Sequence, residues 1–159
     1  EVIGVNAQIA SQSGTSSGVG FAIPSDVVRR VVPTLIEQGE YIWPWLGVRG
    51  TSVNLILVRA NDLDSQQGAY LVDVVNGGPA DQAGLQGSSG TQSIDDQDVP
   101  VGGDVVVAIE GEQVRNFNDL LISVAFRQVG DQVELTVLRD GQQRQFNVEL
   151  QARPSELER

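Results

Sequence analysis

An apolar–glycine–apolar step, Leu46-Gly47-Val48, follows Trp45 and opens a run of short segments whose order restricts how residues 40–152 can fold. Residues 45–52 read as a strand, followed by the apolar run Leu55-Ile56-Leu57-Val58 and a polar break over 61–68. Residues 69–75 are a second strand. Gly77-Gly78-Pro79 marks a turn, with Pro79 placed to start a short helix that ends near Gly84-Leu85. Residues 86–102, rich in Ser, Gly and Asp, are expected to form a long polar loop. A strand over 104–109 and a tight turn at Glu110-Gly111-Glu112 come next. Asn116 or Asn118 then caps an amphipathic helix running to about residue 128. After Gly130-Asp131, the strands 132–139 and 144–150 close as a hairpin on Asp140-Gly141, a favoured two-residue turn.

Residues 1–38 read as a separate unit of two strands (2–9 and 19–23) and one helix. Ser25 or Asp26 is the expected cap of that helix. Val27, Val28, Val31, Val32, Leu35 and Ile36 recur at helical spacing, Pro33 interrupts them, and Gly39 closes the helix. Two strands and a helix cannot bury a core alone, so this segment is expected either to need a partner missing from the chain or to dock on the rest. Residues 153–159 are a charged tail.

Four residue types are missing: Cys, Met, His and Lys, so all 10 basic residues are arginine. Without histidine there is no Ser-His-Asp arrangement. Without lysine there is no Ser-Lys dyad or Schiff base. With neither His nor Cys, zinc or copper is disfavoured, and no cofactor is expected. The net charge of −11 argues against a nucleic-acid partner, which a basic patch would attract. The apolar fraction of 40% lies above the disordered range. No apolar run approaches the roughly 20 residues that span a bilayer. No signal peptide is recognisable. The opening Glu1-Val2-Ile3-Gly4-Val5 reads as strand interior, so that absence says nothing about export.

Gly14-Thr15-Ser16-Ser17-Gly18 fits Gly-x-Ser-x-Gly, but it lies in a small polar loop of a chain with no histidine base, and reads as a loop. Asp95, Asp96 and Asp98 lack the glycine and distal glutamate of a calcium loop and read as a solvated cluster. Trp43 and Trp45 flank Pro44, either as packing where the two units join or with Trp45 shielding a bound terminus. The main expectation rests on Leu46-Gly47-Val48. A peptide carboxylate needs several N–H groups converging in one concavity. Glycine permits that backbone conformation, Leu46 and Val48 wall a pocket for the terminal side chain, and an adjacent strand edge pairs with the rest of the peptide.

In this order of elements, residues 40–152 resemble the PDZ domain of bacterial HtrA/Deg serine proteases, and residues 1–39 resemble the end of the trypsin-like domain that precedes it there. The resemblance implies an α+β PDZ fold, an antiparallel sandwich or partial barrel with two helices, preceded by the last strands and terminal helix of a chymotrypsin-like barrel. It implies that Trp45, Leu46, Gly47 and Val48 form the loop that receives a peptide carboxylate, and that Arg49, Gly50 and the strand to Ser52 receive the peptide as an added strand. In the second helix, Phe117, Leu120 and Val124 would face the core, while Leu121 and Ala125 would face the groove. Asn6, Ala7, Gln8 and Gly20 would be remnants of the protease specificity pocket. The family's catalytic Ser, His and Asp would precede residue 1, so this chain alone is not expected to catalyse, although the parent protein would be a serine endopeptidase. Expected partners are peptide C-termini, unfolded proteins and the missing protease part, with a homo-oligomer possible in the parent; the expected location is the cell envelope, periplasmic or membrane-anchored. One part of a nicked, active protease and a scaffold whose groove is closed by Trp45 or the insertion are the alternatives. The chain departs from the family pattern in the Trp-Pro-Trp cluster before the loop, which bears on the carboxylate geometry, and in the length of segment 86–102.

Overall fold

The structure, a computed structural model, describes residues 2–10 and 19–154 and divides into two compact units, Glu1–Tyr41 and Ile42–Arg159. In the first, β1 (Gly4–Ala10) and β2 (Val19–Pro24) pair antiparallel. Asn6 faces Ala22 and Gln8 faces Phe21, leaving Ala7 as the extra residue of a bulge. Helix α1 (Ser25–Gln38) follows directly. Its N-cap is Pro24, with no side-chain cap, rather than the expected Ser25 or Asp26. The strand runs straight into the helix here, so Ser25 sits in the first turn and its N–H donates to Ile3 O at 3.0 Å. The helix runs on through Pro33 and ends at Gly39, whose φ of 79° and bond to Leu35 O satisfy the last turn. None of the residues of α1 is buried. The segment 14–18 lies outside the described residues.

The second unit is built on a mixed-length antiparallel sheet. Its strands are β4 (Val48–Ser52), β5 (Ala69–Val74), β8 (Val105–Ile109), β10 (Gln132–Arg139) and β11 (Gln142–Glu149), in spatial order β11-β10-β8-β5-β4, with β9 (Glu112–Gln113) paired to β8. Strand β4 is therefore an edge. A separate short pairing joins β3 (Pro44–Trp45) to β12 (Gln151–Ala152). Helix α3 (Pro79–Gln82) lies between β5 and β8 in sequence, and α4 (Phe117–Ala125) between β9 and β10. Leu71, Val106, Ile109, Leu120, Leu135, Val137 and Val148 fill the main core.

Three expectations change. The predicted strand 45–52 is two strands, because Gly47 takes φ 79° and breaks the ladder. Segment 86–102 is not a loop: β6 (Gly90–Ile94) and β7 (Gln97–Val101) form a hairpin whose two-residue turn is Asp95-Asp96, at φ 50° and 61°. A turn of this type favours Gly, Asn or Asp, and here two aspartates suffice without glycine. The apolar run from Leu55 is a helix, α2 (Leu55–Asn61), capped by the Asn54 side chain accepting from Leu57 N–H at 2.9 Å. It is an addition to the two expected helices. The hairpin and α2 share a second small core around Val53, Leu57, Tyr70, Val99 and Val105.

One ion pair ties the sheet to its connections. Asp104 is fully buried, and Arg139 donates to both of its oxygens at 2.6 Å. Asp104 also accepts from Gln86 N–H at 2.8 Å, and Arg139 reaches Gly84 O at 2.8 Å while its guanidinium lies 4.9 Å from the centre of the Phe146 ring. The Asp104 hydrogen bond raises the Arg139 pKa above its usual value, against the opposing pull of burial. A raised arginine pKa gives stability that is complete below the unfolded value and lost only as pH climbs through the folded one. Arg139→Met strands a buried carboxylate and should cost about 3–5 kcal/mol in urea unfolding. The loss should not shrink as pH rises from about 6 to about 9, both far below the arginine range, because the stranded carboxylate takes up a proton more readily at the lower value. A loss that shrank between those two values would assign the stabilisation to another group.

Candidate functional site

The groove forms where α4 lies beside the free edge of β4. Two local contacts hold it there. Asn116 caps α4 by accepting from Asp119 N–H at 3.0 Å, and Ser52 Oγ, at the end of β4, accepts from Phe117 N–H at 3.1 Å. One residue thus closes the edge strand and satisfies the first turn of the helix. Gly50 then lets the helix approach: a Cβ there would sit 2.6 Å from the Phe117 ring and 2.3 Å from Tyr70 O. Beyond this contact Leu120 and Val124 are buried in the core, while Leu121 is exposed and Ala125 half-buried. Leu120 and Val124, expected to face the core alone, line the groove as well, together with Leu121 and Ala125.

At the head of β4 the backbone turns its donors outward. Gly47 sits at φ 79°. Leu46 O accepts from Ala80 N–H at 3.0 Å and Gly47 O from Val75 N–H at 2.9 Å, which fixes the carbonyls on the protein side. Among the described residues no acceptor takes the N–H of Leu46 or Gly47. The Val75-to-Gly47 bond makes Val48↔Val74 a non-hydrogen-bonded pair, so the Val48 N–H also faces away from β5. Three consecutive amides are thus presented beside a pocket of about 250 Å³. Leu46, Gly47 and Val48 line it with Leu120, Leu121, Val124 and Ala125. This volume lies below that of drug-sized ligand sites and suits a single apolar side chain.

Most of the residues singled out in the sequence around this loop converge here. Trp45 also lines the pocket, and its indole lies against the turn before α3, where a Cβ on Gly78 would be 3.4 Å from the ring. Arg49 points toward Asp73 across the ladder at 3.8 Å, with both side chains more than half exposed. Gly50 does not line the pocket; the Phe117 ring closes over its α-carbon. The hairpin β6–β7 packs with α2 and contributes no residue to the pocket. In the first unit, Asn6 and Ala7 are exposed on β1, and Ile9, next to Gln8, pairs with Gly20 on β2. Sequence reasoning placed Leu120 and Val124 in the core alone, gave Ser52 a place on the strand edge but not its bond to the helix, and assigned no groove role to Pro44 or Arg153. Pro44 and Arg153 line the pocket through the β3–β12 pairing, which has no local sequence signal.

An antiparallel sheet with an open edge, a helix alongside and an amide-lined turn at the head of the groove is the arrangement of a peptide-binding β-addition domain. The PDZ-domain family profile matches residues 44–150, and the chain belongs to that family. It is a PDZ-containing segment of the HtrA type. It is 33% identical over 151 residues to the periplasmic serine endoprotease DegP of Escherichia coli K12, covering 95% of this chain and 29% of that protein. It is 32% identical over 152 residues to the probable periplasmic serine protease do/HhoA-like of Haemophilus influenzae, covering 96% of this chain and 29% of that one. The chain therefore spans about three tenths of these relatives. Among solved structures, the HtrA-type protease AlgW with decapeptide superposes with a TM-score of 0.75 at 30% identity, covering 98% of this chain and 43% of that one.

Gly47 tolerates no side chain cleanly, because any Cβ would combine the positive φ with a 3.1 Å approach to Pro79 Cδ. Gly47→Ala should destabilise the protein by about 1–2 kcal/mol, read as a lower urea midpoint. Ser52→Ala should cost about 1 kcal/mol by removing the acceptor for Phe117 N–H. An unchanged midpoint in either variant would show that these contacts do not hold the groove.

Proposed function

We propose that the groove binds the C-terminal end of an extended polypeptide whose last residue is apolar. The terminal carboxylate accepts from the N–H groups of Leu46, Gly47 and Val48. The last side chain enters the pocket walled by Leu46, Val48, Leu121 and Ala125. The preceding residues pair with β4 at Arg49 and Gly50, adding a strand to the sheet, and Trp45 buttresses the loop from behind. The observation that carries this reading is the set of outward amides at an unpaired sheet edge beside an apolar pocket. Filling that pocket with one apolar side chain removes it from water, worth about 1.5–3 kcal/mol.

The named relatives are periplasmic serine proteases, which supports placing this chain outside the cytoplasm, in the cell envelope, as the substrate-presenting or regulatory part of a serine endopeptidase. In that protein Asn6, Ala7, Gln8 and Gly20 belong to the wall of the protease cleft, unfolded proteins supply the peptide ends, and assembly into homo-oligomers proceeds through the protease part.

Titration with a labelled peptide ending in an apolar free acid, and with its amidated twin, tests the reading. The acid should bind at least about tenfold more tightly, or about 1.4 kcal/mol. Ala125→Trp should fill the pocket and abolish binding of the acid while keeping the urea midpoint. Equal affinity for the two peptides, or full binding by the filled variant, would refute carboxylate capture in this groove.

A further inference from the structure

Of the chain's asparagines, only Asn76 precedes a glycine. We propose that Asn76-Gly77 is a self-modification site, where loss of ammonia converts the asparagine to aspartate and isoaspartate. The Asp81 carboxylate restrains this reaction in the folded domain, and the isoaspartate product unseats the amide turn at the head of the groove. The effect on peptide binding rests on the groove reading above; the chemistry at Asn76 does not.

Asparagine is a thermolabile side chain. The Gly77 nitrogen gives up its proton to solvent base and attacks Asn76 Cγ. The new C–N bond closes a succinimide ring as the bond from Cγ to the amide nitrogen breaks and ammonia leaves. Water then opens the ring at either carbonyl, giving aspartate or, with the main chain routed through Cβ and Cγ, isoaspartate. Glycine favours the attack because no Cβ shields its nitrogen. The structure leaves the target open: Asn76 and Gly77 are exposed in a turn, and among the described residues nothing holds the Asn76 side-chain amide. It holds the nucleophile instead. Gly77 N–H donates to Asp81 Oδ2 at 2.8 Å, and Gly77 O accepts from Gln82 Nε2 at 2.7 Å. A carboxylate on that N–H keeps the proton in place, and its negative charge disfavours the nitrogen anion that attacks. The site also lies where one extra backbone atom is felt. Val75 N–H, immediately before it, donates to Gly47 O at 2.9 Å, and Ala80 N–H, shortly after, to Leu46 O at 3.0 Å. Gly78, between these supports, is buried, its N–H on Val75 O and its α-carbon against the Trp45 ring. Isoaspartate adds a methylene carbon to the chain between the two supports and so changes their spacing. Both products also carry a new carboxylate in the turn that Asp81 closes, and like charges repel.

Ageing the full chain in warm, mildly alkaline buffer, with peptide mapping by mass spectrometry that separates aspartate from isoaspartate, tests the chemistry. Isoaspartate should accumulate at Asn76, and about three- to tenfold faster in Asp81→Ala, as for the loss of one hydrogen bond. In urea, where the turn is gone, the two proteins should react alike. A folded Asp81→Ala that reacts no faster than the wild type, or more slowly because the carboxylate had served as base, would overturn the restraint. Binding of the free-acid peptide tests the consequence. The purified isoaspartyl protein should bind about three- to tenfold more weakly than fresh wild type. Asn76→Gln should bind as fresh wild type does and keep its affinity through the same ageing. That variant sets aside any change at Asp140-Gly141, which lines no part of the groove. Equal losses in aged Asn76→Gln and aged wild type, or full affinity in the isoaspartyl form, would show that the turn is not unseated. If fresh wild type binds no peptide, the groove reading fails by itself. The mapping then still judges the chemistry, and a lowered or unchanged urea midpoint of the isoaspartyl form decides for or against a disturbed turn.

Discussion

The buried pair of Asp104 and Arg139 holds four pieces of chain at once. Asp104 opens β8 and, through its backbone, accepts from Leu71 of β5; Arg139 ends β10; Gly84 and Gln86 belong to the connection leaving α3. The end of α3 is therefore pinned to the sheet. Its beginning is the platform for the amide turn, through Ala80 N–H on Leu46 O and the ring of Pro79 beneath Gly47. A charge pair that lines no part of the groove is thus connected, through α3, to the turn that presents the donors. Breaking such a pair is expensive because one charge remains buried without a partner, so the arrangement is kept rigid rather than merely held.

The same economy appears at Gly50. A Cβ on this strand residue would meet the Phe117 ring at 2.6 Å, so the ring or the helix carrying it would have to give way. With glycine there, the helix comes close enough to form one wall of a narrow groove, and the strand keeps its outer N–H and C=O groups uncovered. Edge strands of this kind invite unwanted pairing. Here β4 is short, carries Arg49, and has the helix on one side, features that limit what can add to it.

How far these features could be read from the residues depended on how local their causes are. Turns such as Asp140-Gly141 and Glu110-Gly111 announce themselves, because positive φ at two successive positions strongly selects the residue types. Helix α4 was visible in its period, and the convergence of Trp45 through Val48 with Leu121 and Ala125 followed once the order of elements was recognised. Asp95-Asp96 makes the same kind of turn without glycine and was hidden in a polar stretch. Helix α2 is short, so its apolar run carried no period, and only the Asn54 cap marked it. The N-cap of α1 and the roles of Ser52 and Arg153 depend on partners 22 or more residues away or on the way a strand runs into a helix, and nothing in the local sequence encodes them.

The β3–β12 pairing has a structural corollary. It brings the point where the chain enters this domain against the point where it leaves, and both flank the amide turn. Anything joined covalently to either side is therefore tethered at the rim of the groove, not at the far end of the sheet. The domain's moorings and its mouth are the same place in the fold.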